Sequence, residues 1–137
     1  MHDAHLLSGL EWQLDRCLEQ AALDARLDDA LGTHHGLSWP DFVLLSVLDR
    51  GDGAVSSPEL AERLGLTRSR LVLQLLPLEK TGLVARDAGV DGRRTITLRP
   101  GGRRVLREAR ETAAAVCAER CGAESGSPSA GHGRPPR

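Results

Sequence analysis

The sequence predicts a mainly α-helical fold with one small β-element, on three observations. Apolar residues recur at three- and four-residue spacing through most of the 137 residues. Only LVARD (83–87) and RTITL (94–98) alternate as strands do. Capping hydroxyls and stopping glycines divide the helical pattern, and two of the pieces meet in a tight turn.

In chain order, Leu7, Leu10, Leu14, Cys17 and Ala21 have the spacing of a coiled-coil seam on a helix from Asp3 to Leu31, ended by Gly32. A long helix with one narrow stripe wants a partner. GTHHGL is a connector. Ser38, followed by Pro40 and Asp41, starts a second helix, FVLLSVL, that stops near Gly51. GDGAV allows a short strand. Ser56 with Glu59 makes a capping box for PELAERLGL, which ends at Gly65.

Thr67 then caps a helix from Arg68 to Thr81, whose inner stripe is Leu71, Leu75 and Leu78 and whose stop is Gly82. The close approach of these two helices is helix-turn-helix spacing. The two strands follow, joined by a turn carrying Gly89 and Gly92. Pro100 opens a last helix on which Leu106, Ala109, Ala113 and Val116 repeat, up to Cys121, with Gly122 as its stop. The sequence therefore places one domain over 1–121, with its compact core about 37–99. The glycine-, proline- and serine-rich tail 122–137 is expected to be disordered.

Composition narrows the functional classes. No run approaches the roughly 18 apolar residues of a membrane span. The start, MHDAHLLSGLEW, lacks a signal peptide's basic end and apolar centre, so the expected location is the cytoplasm, away from membranes. The net charge of -1 hides a division: residues 1–62 hold 12 acidic and 3 basic side chains, residues 63–110 hold 12 basic and 4 acidic. Such asymmetry points to a polyanion partner for the second half. Of the 18 basic residues only Lys80 is a lysine, a bias that suits phosphate and guanine but that a GC-rich genome also produces.

Position says more than residue type. Arg68 and Arg70 lie in the first turn of their helix, where the dipole is positive and a cation costs a few tenths of a kcal/mol. With the Thr67 hydroxyl, Ser69 and the free backbone N–H groups they suit a phosphate and can reach base edges. Solvated surface arginines are the plainer alternative. No nucleophile, base and orienter group emerges and no phosphate-loop glycine pattern, so neither an enzyme nor a cofactor is expected. Cys117 and Cys121 lie four apart on one helix face, but a zinc site would need further ligands, and none is expected.

The segments SSPELAERLGLTRSR, LEKTGLVAR, DGRR and LRPGG, in this order and at these distances, resemble the MarR family of winged helix-turn-helix transcriptional regulators. Asp91 and Arg93 occupy that family's DxR wing motif, and LRPGG matches its LTxxG. The resemblance covers about Leu37 to Glu108 and, more loosely, the first helix.

It implies a winged helix-turn-helix with N- and C-terminal dimerisation helices. It also implies a homodimer acting as a sequence-specific regulator, of repressor type, on double-stranded DNA. The recognition helix (about 67–81) would enter the major groove and the wing (87–94) the minor groove. The implied DNA contacts are Thr67, Arg68, Ser69, Arg70, Gln74, Asp91, Arg93 and Arg94. Asp91 can hold Arg93 extended, although a surface ion pair gives the same spacing. A small-molecule effector is also implied, with Trp12, His35 and Trp39 as pocket candidates against the ordinary role of tryptophan as core. Cys17 is the candidate redox thiol, against inert packing.

The sequence departs from the family in the middle of the recognition helix, where Val72, Leu73, Gln74, Leu75, Leu76 and Pro77 replace a polar stretch. Val72, Leu73 and Leu76 should lie at its sides or outside, leaving Gln74 as the main polar group. Pro77 predicts a kink or an early end near 73–76. Arg99 stands in place of the capping threonine, and no extra C-terminal helix is recognisable. An alternative follows: a winged-helix module that binds another regulator through this apolar helix and has lost specific DNA binding.

Overall fold

The structure, a computed structural model, describes residues 2–89 and 92–131, with side chains over 3–89 and 92–120. It contains helices α1 (His2–His35), α2 (Trp39–Arg50), α3 (Ser57–Leu64), α4 (Arg68–Lys80) and α5 (Pro100–Gly131), and strands β1 (Ala54–Ser56), β2 (Val84–Ala88) and β3 (Arg94–Leu98). The mainly α class and the small β wing are as the sequence predicts.

Leucines carry the core. Leu27 and Leu31 of α1, Leu44, Leu45 and Leu48 of α2, Leu60 of α3 and Leu71 of α4 are fully buried around Ile96 of β3. Leu106 and Ala109 of α5 close the cluster from the other side. The three strands form one antiparallel sheet in the order β1-β3-β2, with Val55 opposite Ile96 and Arg86 opposite Ile96 on the other edge. The short strand that GDGAV allowed is therefore the outer edge of the wing's sheet, and it ties α3 to β3.

Several expected ends move. The first helix does not stop at Gly32; it runs to His35, and the left-handed residue is Gly36, at φ 68°. The reason is burial: Leu31 and Leu37 are both core residues, and the Leu37 N–H donates to the Leu31 carbonyl. Breaking the helix at Gly32 would separate them. Gly65 and Gly82 do end their helices as expected. Each takes a positive φ, and Leu66 and Leu83 donate back to Ala61 and Leu78 in Schellman turns.

The early end expected near residues 73–76 does not occur: α4 runs through Pro77 to Lys80. The carbonyl that Pro77 leaves without a partner is that of Leu73, on the exposed face, where water can serve it. The inner face stays anchored by Leu71, Leu75 and Leu78. At the other extreme, α5 does not stop at Gly122 but continues to Gly131. Gly122 is followed by Ala123 and Glu124, which offer no bulky apolar residue to lock a Schellman turn, and glycine costs a helix only about 1 kcal/mol.

The capping box sits one helix earlier than expected. Ser38 Oγ accepts from the Asp41 N–H (3.1 Å) and Asp41 Oδ2 accepts from the Ser38 N–H (3.5 Å). At α3 only half a box forms. Ser56 Oγ accepts from the Glu59 N–H (3.4 Å), while the Glu59 carboxylate pairs with Arg63 one turn on (3.0 Å).

Candidate nucleic-acid interface

Three elements meet at one cleft of about 870 Å³, lined by Ser57 and Pro58 from the start of α3, by Arg68, Ser69, Val72 and Leu75 from α4, and by Arg86, Gly92, Arg93, Arg94 and Ile96 from the wing. Thr67 holds the α4 end of it, its Oγ1 accepting from the Arg70 N–H at 3.2 Å. That hydroxyl satisfies one of the free N–H groups at the helix start and leaves Arg68, Ser69 and Arg70 exposed.

The wing is fixed to the helix rather than hanging from it. Arg86 of β2, half-buried, donates through Nε to Glu79 Oε1 of α4 at 3.0 Å. At the tip, the Gly92 N–H donates to the Gly89 carbonyl (2.9 Å) and the Gly89 N–H to the Arg93 carbonyl. Gly92 takes φ 82°, a conformation that lets the chain reverse and project Arg93 and Arg94 to solvent. Asp91 lies outside the described residues.

Gln74 is not part of this group. It is half-buried, and its Nε2 donates to Asp41 Oδ1 of α2 at 3.4 Å, so its amide faces inward. The helical wheel explains it: Gln74 flanks the buried Leu71 and Leu78, on the side turned to Asp41 of α2. Sequence reading missed Ser57, Pro58 and Arg86. The signal for the first two was the cap preceding α3; for Arg86 it was its place in a strand, two residues beyond buried Val84.

The pocket candidates are not brought together in the chain. Trp12 is exposed with the Arg16 guanidinium over its ring at 5.0 Å, and His35 lies about 35 Å further along the same helix at 1.5 Å per residue. His35 Nε2 lies 2.6 Å from Thr112 Oγ1 of α5, and the Trp39 ring stacks on Phe42 while its backbone N–H donates to Asp28 Oδ1. Cys17 is exposed and Cys117 half-buried against the core; the side chain of Cys121 lies outside the described residues. Among the described residues no cluster of three or more His, Cys, Asp or Glu could hold a metal, and no helix is long and apolar enough to cross a membrane.

No curated protein matches the chain. Solved structures do. The transcriptional regulator MOSR of M. tuberculosis, solved in complex with DNA, is 31% identical, with 79% of this chain and 77% of that one covered and a TM-score of 0.66. Sco3205 of Streptomyces coelicolor, a MarR family transcriptional regulator also solved with DNA, is 27% identical over 81% of this chain and 72% of its own, with a TM-score of 0.71. BldR of Sulfolobus solfataricus, a transcriptional regulator, is 25% identical over 82% and 81%, with a TM-score of 0.75. A MarR family profile matches residues 35–94, the span from the end of α1 through the wing to Arg94. A capped recognition helix, a glycine-turned wing pinned beside it and these likenesses coincide on the same residues, and the chain belongs to the MarR family of winged-helix transcriptional regulators.

Proposed function

We propose that the chain is a dimeric, sequence-specific DNA-binding regulator of repressor type. The observation that carries this is the shared cleft: Arg68 and Ser69 at the start of α4 and Arg93 and Arg94 on the wing line one concavity. A helix start and a basic loop at a fixed mutual angle suit a duplex, the helix in the major groove and the loop over the neighbouring minor groove. Thr67, Arg68, Ser69 and Arg70 are assigned to phosphates and base edges. Arg93 and Arg94 are assigned to the minor groove, with Asp91 extending Arg93 by its place in the DxR motif. A protein covering both grooves on two successive turns excludes whatever else needs that DNA, which supports repression.

The dimer is supported by α1. Its second half is packed, but residues 3–22 are exposed, including Leu6, Leu7, Leu10, Leu14 and Leu18. A helical arm with that much apolar surface would fray alone. A second copy gives it a surface to pack on and sets two recognition helices about 34–36 Å apart, one turn of DNA.

Sequencing the fragments retained by the purified protein identifies the operator, and a salt titration tests the mode of binding. Log affinity should fall steeply against log salt, by about 0.9 per phosphate contact. Affinity no better than for an unrelated acidic polymer would favour the protein-docking alternative instead. Arg68→Ala should cost about 1 to 3 kcal/mol on the operator if it touches a base. A loss equal on all sequences reassigns it to a phosphate. Arg93→Ala should weaken operator binding several-fold with little change in melting temperature, and unaltered affinity removes the wing from the interface.

A further inference from the structure

The outer face of α4 is apolar. Val72, Leu73, Leu76 and Pro77 form one stripe between Ser69 and Lys80, opposite the buried Leu71, Leu75 and Leu78. Leu73 is 67% exposed and Leu76 45%. Single exposed leucines are ordinary; a contiguous row on one helix is not. The row is bordered by cations. Arg68 and Arg70 flank its start on either side, Arg93 and Arg94 line the same cleft as Val72 at its edge, and Lys80 closes its far end.

An apolar stripe framed by cations calls for a partner that is anionic at its edges and carries apolar groups between them. The major groove of DNA has that character: phosphates line both rims, and the thymine C5-methyl is the one apolar group any base displays on its floor. We infer that Leu73 and Leu76, with Val72 beside them, read thymine methyl groups, so that each operator half-site carries adjacent thymines under the middle of α4. This rests on the DNA-binding reading above and specifies what that helix recognises. Gln74, the polar residue sequence analysis put in this role, faces α2 instead. The specificity at these base pairs therefore comes from methyl burial, while the arginines position the helix.

The test uses the full-length protein and the operator recovered from retained fragments. Each thymine is replaced in turn by deoxyuridine, which keeps every hydrogen-bonding group and removes only the methyl. At the thymines under α4, wild-type affinity should fall about fourfold per methyl removed, the equivalent of one buried carbon. With Leu73→Ala, which removes an exposed side chain and should melt with the wild type, the replacement should change affinity by less than about a factor of two at one or more of these thymines, those that Leu73 covers. The slope against salt should be the same for both proteins.

If uridine operators bind as tightly as thymine operators, or if the uridine loss at every thymine is as large in Leu73→Ala as in the wild type, the inference is overturned and operator binding as such stands. If no sequence is retained specifically, the underlying reading fails and this inference with it.

Discussion

Replacing Leu10 and Leu14 by aspartate is expected to yield a monomer and to lower operator affinity at least about a hundredfold, the scale on which two linked half-site contacts exceed one. Both residues lie on the exposed first half of α1, at 51% and 45% exposure. In the pair each leucine buried contributes about 1.5–3 kcal/mol, and four carboxylates would be forced into that seam. The folded core should survive, because Leu27 and Leu31 anchor α1 two turns and more beyond the substitutions. Sedimentation equilibrium gives the mass, far-UV circular dichroism should report loss of helix from the unsupported arm, and a DNA titration gives the affinity. A variant that stays dimeric, or a monomer that binds the operator undiminished, removes the proposed pairing.

Gly102→Ala should destabilise the fold by about 3 kcal/mol or more, the upper end of overpacking, because the obstacle is backbone and cannot swing aside. A Cβ at Gly102 would fall inside contact distance of the Leu83 carbonyl oxygen and 2.7 Å from Leu98 Cδ1. The same carbonyl accepts from the Arg99 N–H at 2.9 Å, so the start of α5 and the start of β2 are locked at one point. That crossing sets the angle between the long α5 helix and the wing. A thermal melt should drop by about 10 °C or more for a domain of this size. At the neighbouring Gly101 a Cβ would come no closer than 3.6 Å to the Gly82 carbonyl, so Gly101→Ala should be nearly neutral and serves as the control. Equal melting of the two variants would mean that α5 can slide relative to β2.

Much of the fold was legible because it is encoded locally. Thr67 caps α4 and Gly65 and Gly82 end their helices through contacts spanning no more than a turn and a half, so residue type alone identifies them. The alternation of 83–87 and 94–98 likewise settled which segments are strands. Gly32 was misread because a glycine is only permitted to end a helix; the packing of Leu31 against Leu37 selected Gly36 instead. The early helix end expected from Pro77 failed for the complementary reason. Its cost depends on whether the orphaned carbonyl meets water or core, and only the fold reveals that Leu73 faces water.

The candidate interface divides in the same way. Thr67, Arg68, Ser69 and Arg70 are neighbours in sequence, so a helix start with two arginines could be recognised without a structure. Arg93 and Arg94 come beside them only through the pairing of β2 with β3 and the Arg86–Glu79 contact that presses the wing onto α4. The inward turn of Gln74 depends on Asp41, 33 residues earlier, and the separation of Trp12 from His35 depends on α1 being one continuous helix.

The sequence by itself determined which segments are helices and strands, the caps at Ser38, Ser56 and Thr67 and the sign of charge on each half, because these follow from interactions among residues a few positions apart. Only the tertiary structure decided which arginines share a cleft, which glycine ends α1 and which face of α4 carries its leucines outward. Those depend on long-range burial, where the free energy of closing one core outweighs the few tenths of a kcal/mol to about 1 kcal/mol by which local preferences differ.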